Sequence, residues 1–257
     1  LRLTRLANDS LAEIAEKSDG RLVATCWLPN LERDYVDEFT RCISDLGMKG
    51  CMIYSNIFGK PVDSPAYIEF YQKAASSNYP ILLHPIGWPY YLWISENRIG
   101  EAIGWPFDTS VAMCRLVFGG VLEKFPTLKI ITHHLGGMIP YFIDRIRLFY
   151  EGVFSDKEVY GESSAYYTTK LSRNPVDLFK MFYADTVIGG NVAAMKCALE
   201  FFGADHIVFA TDYPFGPGKG TVFTESALKA VNLLDIKVEE KEKILYKNSA
   251  KLFNLKV

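Results

Sequence analysis

The sequence predicts an α/β fold built on a parallel sheet, and two observations carry that prediction. Six short runs of β-branched and aliphatic residues are continuous rather than alternating, as expected of strands buried on both faces, and helical patterns separate them. Three of these runs end in residues that bind metal or move protons: Pro80 to His84, Leu128 to His134, and Ile207 to Asp212. Parallel barrels bring such residues together at the carboxyl ends of their strands, so the placement points to a metal-assisted enzyme.

The first predicted strand spans Leu22 to Trp27, and the helix after it, Asp34 to Leu46, stops at Gly47. Gly50 to Tyr54 is the second strand. Ser64-Pro65 then opens a helix to Ser76, with proline in the tolerated first turn. The third strand, Pro80 to His84, is cut off by Pro85, which cannot continue a strand ladder. A helix from about Ser110 to Lys124 precedes Pro126, and Leu128 to His133, Asp185 to Ile188 and Ile207 to Thr211 complete the six strands. Near the end, Val238 to Leu252 sets Ile244, Leu245, Asn248 and Leu252 on one helical face, opposite a charged one, and reads as a packing helix. Ser95 to Asp108 and Tyr150 to Thr169 read as long irregular stretches of the kind that cover substrates. Trp88, Tyr90, Tyr91, Trp93, Trp105 and Phe107 cluster beyond His84, where they either line an apolar pocket or pack on the rim.

Strands alternating with helices fit an open doubly wound sheet or a closed barrel. Closure in the (βα)8 pattern needs eight strands, so the barrel reading places two strand-helix units before Leu1, which stands where an initiator methionine is expected. No linker or repeat divides residues 1–257, which read as one domain.

Composition narrows the partners. With 49% hydrophobic residues, 23% charged residues and a net charge of -2, the chain carries no electrostatic footprint for nucleic acid or an anionic membrane, which leaves small molecules. Five dispersed cysteines without a C-x-x-C pair argue against a disulfide scaffold or zinc ribbon, and the start lacks the apolar block of a signal peptide. A cytoplasmic location is the expectation.

His84 at a strand end suits coordination of a divalent ion through one imidazole nitrogen, although a lone histidine there is also an ordinary rim residue. Asp212 follows its strand and precedes Pro214, so it either binds metal and helps deprotonate a bound water or caps a helix. His133 and His134 are adjacent, and neighbours on a strand face opposite ways, so at most one enters a shared site while the other supports it or packs outside. A histidine there serves as general acid or base. His206 begins its strand, and Asp185 reads as support or a strand-edge hydrogen bonder. The loop Phe215 to Thr221 does not match a phosphate loop, because the G-x-x-x-x-G-K-[ST] pattern is absent and Pro217 removes a donor.

Four segments together resemble the amidohydrolase-related, metal-dependent barrels that include aminocarboxymuconate-semialdehyde and γ-resorcylate decarboxylases. They are Ile81-Leu82-Leu83-His84-Pro85, Ile131 to Tyr141 with its His133-His134-Leu135-Gly136-Gly137 centre, Phe209 to Pro214, and Glu242 to Phe253. The resemblance implies a (βα)8 TIM-like barrel whose visible strands are the third to the eighth. It implies His84 and Asp212 as metal ligands, Asp212 and His134 as catalytic residues, and Arg145 as a carboxylate-holding residue that reaches a neighbouring subunit. The ion expected is zinc, with manganese as the alternative. Trp88 is the expected aromatic contact to a small carboxylate substrate, and a homodimer is the expected assembly. One departure stands out: the family's first strand carries an H-x-H or E-x-H pair, whereas no histidine precedes His84 here. Either that pair lies upstream of Leu1 or tight metal binding has been lost. The expected activity is decarboxylation of a small unsaturated or aromatic acid; hydrolysis of a lactone or amide, and a non-catalytic ligand-binding barrel, are the alternatives.

Overall fold

Parallel strands cannot be joined by tight turns, so each needs a crossover long enough to hold a helix. The computed structural model describes residues 1–87, 92–161 and 168–256. Its strands are β1 (Cys26–Trp27), β2 (Cys51–Tyr54), β3 (Asn56–Ile57), β4 (Lys60–Pro61), β5 (Ile81–His84), β6 (Ile130–Thr132), β7 (Tyr183–Asp185) and β8 (Ile207–Val208). The short β3 and β4 pair with each other antiparallel, and the other six form one parallel sheet in the order β1-β2-β5-β6-β7-β8.

That order follows the chain without reversal. A doubly wound sheet reverses at a switch point, so the open-sheet alternative is set aside and the barrel type of βα succession stands. All six expected strands are present but shorter. The first starts at Cys26 because Leu22 and Val23 lie exposed before the ladder begins. The strand expected at Asp185–Ile188 is displaced to Tyr183–Asp185: Tyr183 and Ala184 pair with Ile131 and Thr132, and the Val187 N–H turns back onto the Asp185 carboxylate at 3.0 Å. Asp185 therefore closes its strand instead of opening it.

The sequence reading passed over α1 (Arg2–Lys17), whose polar composition hides its role. Its Asn8 is wholly buried and serves the backbone of β1, with Oδ1 accepting from the Trp27 N–H at 2.8 Å and Nδ2 reaching the Trp27 carbonyl at 3.4 Å. A side-chain amide thus supplies what a neighbouring strand would. Asn8 also donates at 2.9 Å to Glu38 on α2 (Arg33–Ser44). The Glu38 carboxylate has no exposed side-chain surface and receives Arg41 through two 2.9 Å bonds and Arg5 through one of 3.2 Å.

Helix α3 (Ile68–Ser77) follows a 3-10 turn at Pro65–Tyr67 and buries Phe70, Tyr71 and Ala74. The stretch Ser95 to Asp108, expected to be irregular, is helical from Gly100: a π turn, Gly100–Gly104, runs into α4 (Trp105–Phe118), with Pro106 at the junction of the two. The helix expected to continue to Lys124 breaks at Gly119 and Gly120, the latter at φ +76°, and resumes as α5 (Val121–Lys124). Similarly, α6 (Ile139–Ser155) and the turn Lys157–Tyr160 occupy part of the stretch expected to be irregular after Tyr150. Further helices are Pro175–Phe179, Val192–Phe202 and Thr221–Asn232.

The terminal packing helix is present as Val238–Glu242 and Asn248–Leu252 around a π turn. Its Asn248 donates at 2.7 Å to the carbonyls of both Ala204 and Ile207, which ties it to β8. Phe39, Tyr67, Phe70, Tyr71, Phe179 and Phe182 are the largest wholly buried aromatic side chains, and burial of each such ring contributes on the order of 2 kcal/mol. Among the described residues, no helix is long and apolar enough to cross a membrane.

The Glu38 cluster gives the fold an acid sensitivity. Burial pushes the Glu38 carboxyl up, but bonds from Arg41, Asn8 and Cys42 outweigh it and bring the pKa from 4.5 to about 2. A folded value below the unfolded one means that the carboxylate's stabilisation, about 3 kcal/mol by linkage, is complete above pH 4.5 and is lost as pH falls toward 2. Urea unfolding at pH 7 and pH 3 should show Glu38→Gln strongly destabilised at the higher pH and closer to the parent at the lower one.

Candidate active site

Register across the sheet builds the site. Tyr54 pairs with His84, Leu83 with Thr132, and Thr132 with Ala184. The residues one step further along, His84, His133 and Asp185, therefore share a row with Tyr54 across four neighbouring strands, and residues in one row face the same side. The contacts agree. The His84 and His133 rings lie 4.8 Å apart, Tyr54 meets His84 edge-on at 6.2 Å, and His133 Nδ1 lies 3.0 Å from Asp185 Oδ2. This row explains why His133, and not its neighbour, faces His84.

Asp185 is almost wholly buried, and its second oxygen accepts from the backbone N–H groups of His134 at 2.9 Å and Val187 at 3.0 Å. Burial pushes its carboxyl up, yet the His133 charge and the hydrogen bonds hold it below the usual range. For His133, burial pulls the imidazole down and the Asp185 carboxylate more than restores it, leaving the pKa above its ordinary value. His84 lies below its ordinary value through burial and the proximity of His133. Burial likewise brings His134 down to about 4, with His133 and His84 adding to the fall against the pull of Asp185.

The backbone turns sharply here. His134, Leu135, Gly136 and Gly137 all have positive φ, which carries the chain away from β6 within four residues. Gly137 is required, since a Cβ there would lie 2.4 Å from the Pro106 carbonyl oxygen and 2.5 Å from Ser110 Oγ. Ser110 Oγ in turn accepts from the Met138 N–H at 2.7 Å, so α4 supports this turn directly. On the far side, the Thr186 hydroxyl donates to the Ala210 carbonyl and accepts from the Ala210 N–H, at 2.7 and 3.0 Å. That exchange extends the β7–β8 pairing toward Asp212. Asp212 has φ +61°, and burial raises its carboxyl against the attraction of His133.

A cavity of about 740 Å³ adjoins this row, walled by Trp27, Tyr54, Asn56, Ile86, Gly87 and Trp105. Tyr54 and Trp105 border both the cavity and the His84 ring. Trp27 Nε1 donates to the Tyr54 hydroxyl at 3.0 Å, which fixes that phenol in an otherwise largely apolar wall.

The donor chemistry of the row suits a divalent ion. His84 Nδ1 donates to the Pro85 carbonyl at 2.6 Å, which leaves the lone pair on Nε2, and His133 spends Nδ1 on Asp185 in the same way. His133 Nε2 and His134 Nδ1 are buried without a hydrogen-bond partner. Among the described residues, no three His, Cys, Asp or Glu side chains are grouped so as to hold a metal on their own. His84 and Asp212 carry donor atoms of a suitable type, an imidazole nitrogen and a carboxylate.

Of the other residues read from the sequence, Arg145 is exposed on α6, its guanidinium 4.7 Å from the Phe149 ring centre, and does not line the cavity. Trp88, Tyr90 and Tyr91 fall outside the described residues, as does the side chain of Trp93. Phe107 is half exposed, while Trp105 is a cavity wall. His206 stacks on Tyr183 at 4.4 Å away from this row, at the start of β8. The sequence reading gave Asp185 a supporting part and left His133 open; the signal that joins them is the strand register, which a single sequence does not display.

The chain belongs to the amidohydrolase family, whose model matches residues 2–255. It is 26% identical over 225 residues to a 2-amino-3-carboxymuconate-6-semialdehyde decarboxylase of Dictyostelium discoideum, covering 85% of this chain and 58% of that protein. The chain therefore spans little more than half the length of that relative. Among solved structures, 2,6-dihydroxybenzoate decarboxylase complexed with 2,6-dihydroxybenzoate superposes with a TM-score of 0.84 at 26% identity, covering 99% of this chain and 77% of that one. A dihydroxybenzoic acid decarboxylase from Polaromonas sp. JS666, with bound manganese and the inhibitor 2-nitroresorcinol, gives 0.79 at 26% identity, covering 98% and 74%. The fold is that of these barrel enzymes.

The turn after β6 can be tested separately from chemistry. Gly137→Ala should destabilise the protein by about 2–3 kcal/mol, because positive φ and a backbone clash combine. Gly189→Ala, at φ +63° with open space around it, should cost only about 1 kcal/mol. Equal losses in urea unfolding would contradict the close approach of Pro106.

Proposed function

We propose that this member of the amidohydrolase family is a metal-dependent carboxy-lyase that releases CO2 from a small aromatic or unsaturated carboxylic acid. The observation that carries the reading is the meeting of His84, His133, His134 and Asp185 at the carboxyl ends of three neighbouring strands, beside an apolar cavity. The relatives' decarboxylase names support it. His84 Nε2 and Asp212 would hold a divalent ion, for which manganese is favoured by the neighbour that binds it. When bound, the ion polarises a substrate oxygen and steadies negative charge on the substrate.

The chain's own residues do the rest. Trp105, Ile86 and Trp27 offer apolar surface to a flat ring, while the Tyr54 hydroxyl, held from behind by Trp27, donates to a substrate oxygen. His134 is neutral at pH 7, because burial brings it down to about 4. The substrate enters as its carboxylate at that pH, so His134 relays one proton from solvent to the carbon that bears the carboxylate as the bond to the carboxyl carbon breaks, and carboxylate plus proton gives the decarboxylated product and CO2. Asp185 holds the His134 N–H and the His133 ring together and thereby sets the position of the acid/base. Arg145, exposed with Tyr141, Leu148 and Phe149 on α6, fits the reading that it faces a second copy and holds a carboxylate there.

Manganese loading followed by a CO2-release assay on 2,6-dihydroxybenzoate and related aromatic acids tests this reading. His84→Ala and Asp212→Ala should lose bound manganese, whereas His134→Ala should keep it and lose roughly 100-fold or more in kcat. A protein that retains no metal after loading, or a His134→Ala variant with undiminished turnover, would overturn the assignment.

A further inference from the structure

We propose that Asp108 is a positioning residue that sets the tautomer and ring orientation of His84 through the peptide bond joining Pro85 to Ile86. Asp108 lies in the first turn of α4 and is only 2% exposed. Its Oδ2 accepts from the N–H groups of Ile86 at 3.1 Å and Gly87 at 2.9 Å, and from the Ser55 hydroxyl. Ser55 is joined to the same loop, since its N–H donates to the His84 carbonyl at 2.9 Å and its Oγ lies 3.1 Å from the Ile86 N–H.

The decisive geometry is that the Ile86 N–H and the Pro85 carbonyl belong to one peptide group. That group is planar, and in the trans form its N–H and C=O point in opposite directions. Holding the N–H toward Asp108 therefore aims the carbonyl the other way, where it accepts from His84 Nδ1 at 2.6 Å. The carbonyl can only accept, so the proton must sit on Nδ1 and the lone pair on Nε2, the tautomer a metal-binding or proton-accepting imidazole needs. Without the carboxylate, Gly87 at φ +79° gives the loop freedom to rotate that peptide. Among the described residues, Asp108 bonds the Ile86 and Gly87 amides and the Ser55 hydroxyl and no histidine, so it reaches His84 through this loop.

Nitrogen-15 histidine spectra of the metal-free protein test this. Wild type should show His84 protonated on Nδ1 together with a slowly exchanging Ile86 amide, and Asp108→Asn should populate the Nε2–H form at His84. Ser55→Ala, which keeps both backbone bonds to the carboxylate, should retain the wild-type tautomer. A second arm rests on the metal reading above: manganese affinity should fall roughly 10- to 100-fold in Asp108→Asn, with little change in Ser55→Ala. A folded Asp108→Asn with an unaltered His84 tautomer and unaltered manganese affinity overturns the proposal, because a carboxylate that merely staples the loop would shift only the melting temperature. Should Asp108→Asn fail to fold, wild type decides: Nε2–H at His84 or a freely exchanging Ile86 amide refutes it. Absence of manganese binding in wild type refutes the metal reading and leaves the tautomer result to decide the role of Asp108.

Discussion

Asp185 is the constraint on which the site depends. A carboxylate buried to this degree is costly unless its oxygens are filled, and here they receive an imidazole and two backbone N–H groups from different elements. One oxygen fixes His133; the other fixes the positive-φ backbone of His134 and the turn after β7. Removing the carboxylate would free both histidines that follow β6 at once. The opposing pKa directions of the two rings, His133 up and His134 down, follow from which one has the carboxylate at its Nδ1.

The same logic repeats on the β5 side. His84 is oriented by the Pro85 carbonyl, and that peptide is gripped by α4, whose Ser110 also accepts from the turn following His134. One helix therefore spaces two strand ends. Trp105, on the same turn, stands against both His84 and His134, with ring centres 6.0 and 6.5 Å away, and forms part of the cavity wall. On the proposed function, preorganisation of this kind would lower the cost of bringing substrate and acid/base together, since little would remain to be ordered on binding.

At the opposite end of the sheet, the Glu38 cluster plays a structural part. It locks α1 and α2 to one another, and through Asn8 it satisfies the backbone of β1. The site and this cluster are separate solutions to one problem, the burial of a carboxylate. At Glu38 the compensation comes chiefly from arginines and stabilises the fold; at Asp185 it comes from a histidine and backbone amides, and it shapes the site.

Much was legible in the sequence. Continuous apolar runs ending in His84, His134 and Asp212 marked the strands and the side on which they emerge, because a strand buried on both faces must be apolar until it emerges. The α1 helix escaped notice because its buried faces are polar, Thr4 and Asn8, and pairing with Trp27 and Glu38 is invisible without the fold. Helix α4 was placed too late because Gly100, Gly104 and Pro106 read locally as loop residues. What the sequence by itself determined was the succession of strands and helices and the identity of the residues at the strand ends, since hydrophobic periodicity is a local property. Which of two adjacent histidines faces His84, and which buried carboxylates orient them, was decided only by tertiary structure, because a one-residue step in register sends a side chain to the other face of the sheet.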